Sequence, residues 1–254
     1  MDLRGEITRR SVKKLRKYRL VKDRVGERNL ELGCAAAGLS RMLARGFWVG
    51  MDFDLSTVRD YSRYLGRPAA VGSENLPFRH GSFTTVLMLD FLEHVEEDLL
   101  LLKEARRVLV PGGSLLLSVP RGGNLLIIKI RNLLGLKKEV YGHRREGYTR
   151  EELLSMLEEA GFAVEEVKEH SGFLLELLEA LQNFVYFRLR GRKKRRAGSI
   201  SPVEEGEFRS MKKLLFLQKL AYPFFKLADF LDGVLPTSKH VIFVQARSPK
   251  RTPG

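Results

Sequence analysis

The sequence predicts an α/β protein built on a mostly parallel β-sheet with helices on both faces. Three observations carry that prediction. Short apolar strand-like runs alternate with helix-like runs between residues 29 and 169, the order expected of strands joined by helical crossovers. Within that stretch, residues 29–55 read as strand, small-residue turn, helix and second strand, a unit suited to holding a nucleoside. At 254 residues the chain is long enough for one domain with ample core and an elaboration.

The elements follow in order. Residues 6–23 read as a basic amphipathic helix, with Val12, Leu15, Tyr18 and Leu20 as its apolar positions. Strand 29–33 runs into Gly33-Cys34-Ala35-Ala36-Ala37-Gly38, where small side chains let the backbone approach a ligand, and helix 38–45 follows with free amides at its start. Small residues after a strand also serve close helix–strand packing. Strand 47–52 ends on acid at Asp52, 19 residues after Gly33. Helix 55–65, a short strand near Ala70-Val71, strand 84–89, helix 97–108, strand 113–119, helix 150–160 and strand 162–169 continue the alternation. His240 to Ala246 reads as a final strand.

The turn after the first strand has two readings as a ligand loop. It can be a nicotinamide-type G-x-G-x-x-G with its middle glycine replaced. It also resembles motif I of the class I S-adenosylmethionine-dependent methyltransferases, E/D-x-G-x-G-x-G: Glu31 and Gly33 match, and Ala35 and Ala37 stand where glycines are usual. Later segments resemble the same fold in the same order. They are Glu74 to Phe78, Ser82 through His94-Val95, Leu109-Val110-Pro111-Gly112-Gly113 with the strand after it, and His143 through Phe162. The resemblance is to the methyltransferase group that includes the quinone-biosynthesis enzymes, over roughly residues 25–170 and the last strand.

That resemblance implies a Rossmann-like sheet with its last strand antiparallel at the sheet edge and a helical insertion before it. It implies S-adenosylmethionine as methyl donor. Glu31 and Gly33 would place the methionine end, and Asp52 would accept the ribose hydroxyls, with Asp54 as a nearby competitor. Many relatives carry Asp-Ala-Glu for the adenine contact; here Gly72, Ser73 and Glu74 stand in its place, which leaves the contact to Ser73 and Glu74. Cys34, Ala35, Phe53 and Asp90 complete the expected cofactor-binding positions.

Methyl transfer from a sulfonium is a direct displacement, so the protein positions two reactants and, where needed, removes a proton. His143 is the first candidate for the base, with Tyr148 and His94 beside it. An exposed loop position explains His143 equally well, and a structural role suits His94. No metal-ligand set is read from the sequence, and the only cysteine, Cys34, offers neither a disulfide nor a cysteine metal site. The fourth strand is followed by Leu89-Asp90-Phe91-Leu92 rather than the Asn/Asp-Pro-Pro-Tyr of exocyclic-amine base methylation. Cys34 lies in the donor loop, so no thiol is available for pyrimidine C5 chemistry.

The net charge of +14 is unevenly placed. Residues 1–28 hold 11 Lys/Arg against 4 Asp/Glu, residues 29–170 hold 18 against 20, and residues 171–254 hold 16 against 7. The flanks, not the core, would meet a polyanion. The organisation expected is a basic N-terminal helix (1–28), a methyltransferase core (29–170), a helical basic lid or membrane-surface insertion (171–238), the final core strand (239–248) and a tail (249–254). The insertion holds Arg188 to Arg196, with seven Lys/Arg in nine residues, between two apolar stretches interrupted by charge. Neither stretch suits a bilayer span, which needs about 20 apolar residues.

These features lead to an S-adenosylmethionine-dependent methyltransferase acting on a small or lipid-like acceptor, at an anionic membrane surface or under a plain lid. The setting expected is cytoplasmic, since no apolar leader is apparent. An RNA-directed methyltransferase gripped by its basic flanks, and a methyltransferase-fold binding protein without catalysis, are the alternatives.

Overall fold

The protein is described from a computed structural model. It covers residues 11–34, 40, 42–43, 45–55, 58–59, 61–62, 69–72, 75–123, 126–190, 205–236 and 238–250, with side chains left aside at 186–190 and 205–218. Ala35, Ser73, Glu74, most of helices 38–45 and 55–65, residues 1–10, and Arg192 to Arg196 lie outside the described residues.

In chain order the elements are α1 (Val12–Val21), β1 (Arg28–Leu32), β2 (Phe47–Asp52), β3 (Ala69–Val71), β4 (Phe83–Leu89) and a 3₁₀ turn (Leu92–His94). Then come α2 (Asp98–Val108), β5 (Leu109–Pro120), α3 (Leu126–Leu133), α4 (Lys138–Tyr141) and α5 (Arg150–Glu159). The chain ends in β6 (Ala163–Gly172), α6 (Phe173–Arg190), α7 (Glu205–Val234) and β7 (Lys239–Arg247). The seven strands form one sheet in the order β3-β2-β1-β4-β5-β7-β6. β3, β2, β1, β4 and β5 pair in parallel, and β7 pairs antiparallel with both β5 and β6.

One expectation needs correction. β7 is antiparallel, but it lies inside the sheet, and β6 takes the edge. The cause is in the side chains. His240 to Val244 is an unbroken buried run, which suits a strand covered on both faces. β6 carries Glu165, Glu166, Lys168 and Glu169 at exposed or half-buried positions, which suits an edge.

The alternation of side chains along each strand builds two cores. On one face Leu30, Leu32, Val86, Met88, Leu115 and Leu117 meet Leu101, Leu102, Ala105 and Val108 of α2 and Leu153 and Leu157 of α5. On the other, Trp48, Leu87, Leu116 and Phe243 meet Val21 at the end of α1. The Pro-Gly-Gly segment expected as a turn before the fifth strand is instead taken into β5. The register with β4 jumps from Phe83↔Leu109 to Thr85↔Ser114, so Pro111 to Gly113 form a bulge, with Gly112 at φ 78°.

The elaboration is clasped to the core by charges. Lys13 of α1 reaches Glu176 and Glu179 of α6, and Arg131 of α3 reaches Glu176 at 2.5 Å. Arg16 of α1 pairs with Asp229 of α7. Asp232 of α7 accepts the amides of Leu174 and Leu175 at 3.0 and 2.8 Å, satisfying two donors that the start of α6 would otherwise leave bare. A third apolar cluster joins α3 to α6 through Ile127, Leu136 and Ala180, with Tyr141, Phe173 and Leu177 against them. No helix among the described residues is long and apolar enough to cross a membrane.

Candidate active site

β1, β2 and β4 bring their carboxyl ends together. Gly33 turns the chain out of β1 at φ 72°, a region that favours glycine, and a Cβ there would stand 2.5 Å from Phe91 Cδ2. The amides of Gly33 and Cys34 both donate to the Met51 carbonyl, at 2.9 and 3.1 Å, which pins the turn to β2. Glu31 and Asp52 are buried beside it. Burial, then these two carboxylates, push the Cys34 thiol far above its ordinary value, so it is an inert packing group rather than a nucleophile.

Asp52 closes β2, and its Oδ1 accepts the Asp54 amide at 3.3 Å. The competing Asp54 lies past the strand end, where its carbonyl accepts the Val58 amide at 3.1 Å and opens the next helical turn. Phe53 stacks on Phe91 with centroids 4.7 Å apart and planes at 12°. Gly33, Phe53 and Phe91 therefore make an apolar wall next to two buried carboxylates.

A second group lies beyond β4. Asp90 adopts φ 56°, accepts Ser118 Oγ at 3.4 Å, and pairs with Lys17 of α1. Lys14 of α1 is exposed. His94 donates through Nδ1–H to the Gly142 carbonyl at 3.0 Å, since that oxygen can only accept. The His94 and His143 rings stand edge to face at 4.7 Å and 88°. Burial lowers both imidazoles: His94 against the pull of the Gly142 carbonyl and Asp52, and His143 down to about 3 with help from His94 and Arg131. Both are therefore neutral at neutral pH, and a value this low makes His143 a weak base.

Tyr148 does not join them. It is fully buried, and its hydroxyl is held by the Leu92 carbonyl and Asp98 Oδ2, each at 3.1 Å. Burial, then the Asp98 charge, push the phenol well up, so it cannot act as a base near neutral pH. Tyr148 instead ties the 3₁₀ turn to the start of α2, with Arg145 over its ring at 4.5 Å.

A profile of the methyltransferase-domain family matches residues 4–167. The chain belongs to the methyltransferase family. It is a class I member, and this class takes its methyl group from S-adenosylmethionine. No curated protein sequence matches the chain. Among solved structures, a candidate sarcosine dimethylglycine methyltransferase from Galdieria sulphuraria aligns with a TM-score of 0.61 at 13% identity, covering 93% of this chain and 86% of that one. The [4+2]-cyclase SpnF aligns at 0.60 and 18% identity, over 93% and 82% of the two chains. Phosphoethanolamine N-methyltransferase 2 from Haemonchus contortus, solved with S-adenosyl-L-methionine, aligns at 0.55 and 17% identity; 93% of this chain covers 51% of that one. A cyclase among these neighbours shows that the fold alone does not set the reaction.

Asp52 is an acceptor-only group at a strand end, chemistry that suits ribose hydroxyls, and a Cβ at Gly33 would strike the Phe91 ring. Sequence reasoning missed three residues here. Phe91 appeared only as a residue between Asp90 and Leu92, and its stacking on Phe53 needs the fold. Lys17 sits on a basic amphipathic helix, yet it is 8% exposed. Glu93 sat beside His94 in plain view, but its complete burial was not foreseeable.

Proposed function

We propose that this chain transfers the methyl group of S-adenosylmethionine to a hydroxyl, amine or activated carbon of a small or lipid-like acceptor, while resting on an anionic membrane surface. Asp52 holds the donor ribose, Glu31 and the Gly33–Cys34 backbone hold its methionine end, and Phe53 and Asp90 border it. The bound donor supplies an electrophilic methyl carbon on a sulfonium. The neutral imidazoles of His143 and His94 face the acceptor.

The observation that carries the membrane reading is the outer face of α7. Leu220, Phe224, Leu227, Phe230 and Val234 are 55–68% exposed and recur at helical spacing. The opposite face is docked through Ala228, which is buried, and Asp232. Lys219 and Lys226 are exposed and flank the apolar row. Apolar aromatic side chains beside ammonium groups match the boundary between lipid tails and anionic headgroups, where each basic residue contributes roughly 1 kcal/mol.

Vesicles of phosphatidylcholine and phosphatidylglycerol test this reading. The chain is expected to co-sediment with them at low salt, more weakly at high salt, and about 10-fold less or worse as the Phe224→Asp/Leu227→Asp variant. No sedimentation at low salt, or a dimer that buries this face instead, would remove the membrane from the account.

A further inference from the structure

Lys17 carries a positive charge from α1 to the end of β4, where the methyl-transfer reading has so far given it no part. It is buried, and its Nζ pairs with Oδ2 of Asp90, whose side chain is 43% exposed. Glu93 and Glu179 add to the attraction, and Lys13 and Lys14 of the same helix oppose it. An ammonium stripped of water depends on the carboxylates it meets, because little else solvates it. Asp90 is held in place for its side of the pair. Its backbone adopts φ 56°, its amide donates to the Ser118 carbonyl at 2.9 Å, and its Oδ1 accepts the Ser118 hydroxyl at 3.4 Å. The exposed part of this carboxylate is open to a ligand.

The order of the strands brings the donor to that carboxylate. β1 lies between β2 and β4 in the sheet. A donor with its ribose at Asp52 and its methionine end at the Gly33 turn occupies the ends of β2 and β1. The imidazoles of His94 and His143 follow β4. The methyl group must therefore point across the end of β4, where Asp90 is the first residue after the strand. S-adenosylmethionine has a positive sulfonium at that point, and S-adenosylhomocysteine has a neutral thioether.

We propose that Lys17 competes with the donor sulfonium for the Asp90 carboxylate and so sets the preference of the site between donor and product. This rests on the donor placement given under the proposed function. Without ligand, the ammonium holds Asp90. With the cationic donor bound, two positive groups share that carboxylate, which disfavours the donor against a neutral ligand of the same shape. During transfer the acceptor's lone pair forms a bond to the methyl carbon while the carbon–sulfur pair returns to sulfur. The positive charge passes to the acceptor and leaves with its proton where it has one. Repulsion from Lys17 therefore acts on the bound donor and is relieved as the methyl group departs. Lys17 is a specificity-determining residue that acts through Asp90 and takes no proton.

The test is calorimetric titration of S-adenosylmethionine and S-adenosylhomocysteine into the full-length natural protein, Lys17→Met and Asp90→Asn. The two ligands differ only in the methyl group and its charge. General damage to the pocket weakens both and leaves the ratio of their affinities in place. Lys17→Met frees Asp90 for the sulfonium and should shift that ratio about 10-fold toward S-adenosylmethionine. Asp90→Asn leaves the ammonium facing the sulfonium and should shift it about 10-fold toward S-adenosylhomocysteine. Should one variant fail to fold, the direction of the shift in the other decides. A ratio that stays in place, or moves the opposite way, in a folded variant overturns the proposal and leaves the donor site standing. Binding of neither ligand to the natural protein would instead strike the donor placement beneath it.

Discussion

The β1–β2 end of the sheet, the proposed donor site, and the helices α6 and α7 are held by different forces. Around Gly33 and Asp52 the geometry is set by the backbone: parallel register fixes β1 beside β2, and two amides converge on Met51. Around α6 and α7 it is set by side-chain charge. Glu176 is nearly inaccessible and is met by Lys13 and Arg131, and Asp229 is met by Arg16. A register is rigid, because a slip of one residue would turn every side chain to the other face. A set of ion pairs can open and re-form with pH and salt. The donor pocket should therefore tolerate damage to the lid, and the lid should fail without the pocket losing its shape.

The largest expected effect is at Asp52. Removing an acceptor of two hydroxyls forfeits two charge-assisted hydrogen bonds, so Asp52→Ala should weaken S-adenosylmethionine binding by about 1,000-fold in calorimetry without lowering the melting temperature. Next comes Glu176. Burial alone would raise its pKa, but Lys13 and Arg131 hold it down to about 2. A depressed carboxylate contributes stability above its unfolded value, near 4.3, and loses it as pH falls toward the folded one. Glu176→Gln should therefore cost about 3 kcal/mol in urea unfolding at pH 7, with the gap to the natural protein shrinking below pH 4. Donor affinity of the folded variant should stay the same.

Smaller effects sharpen the contrast. Phe224→Asp/Leu227→Asp should cut vesicle partitioning by a factor of about 10 or more, from the loss of two inserted apolar side chains. Asp232→Ala should remove the two-amide contact at the start of α6, costing about 1 kcal/mol, and should speed exchange of the Leu174 and Leu175 amides.

The same contrast explains what the sequence made legible. The strands were readable to within one or two residues through β4, because each is a short apolar run bounded by turn residues. The place of Asp52 at the end of β2 was readable because an acid closes an apolar run. The clasps were not, because their partners lie far apart in sequence: 166 residues separate Lys13 from Glu179, and 213 separate Arg16 from Asp229. Tyr148 was misread for a related reason. A tyrosine after a roof segment looks available, and only the fold reveals the Leu92 carbonyl and Asp98 that take up its hydroxyl. The place of β7 inside the sheet was implied by its unbroken apolar run, a stronger cue than its position at the chain's end.

The most direct measurement is calorimetric titration of S-adenosylmethionine and S-adenosylhomocysteine into the natural protein, Asp52→Ala and Phe224→Asp/Leu227→Asp. Micromolar binding to the natural protein and the α7 variant, with none detectable in Asp52→Ala, is the predicted result. No binding to the natural protein, or equal binding to Asp52→Ala, would contradict the assignment of the β1–β2 end as the donor site.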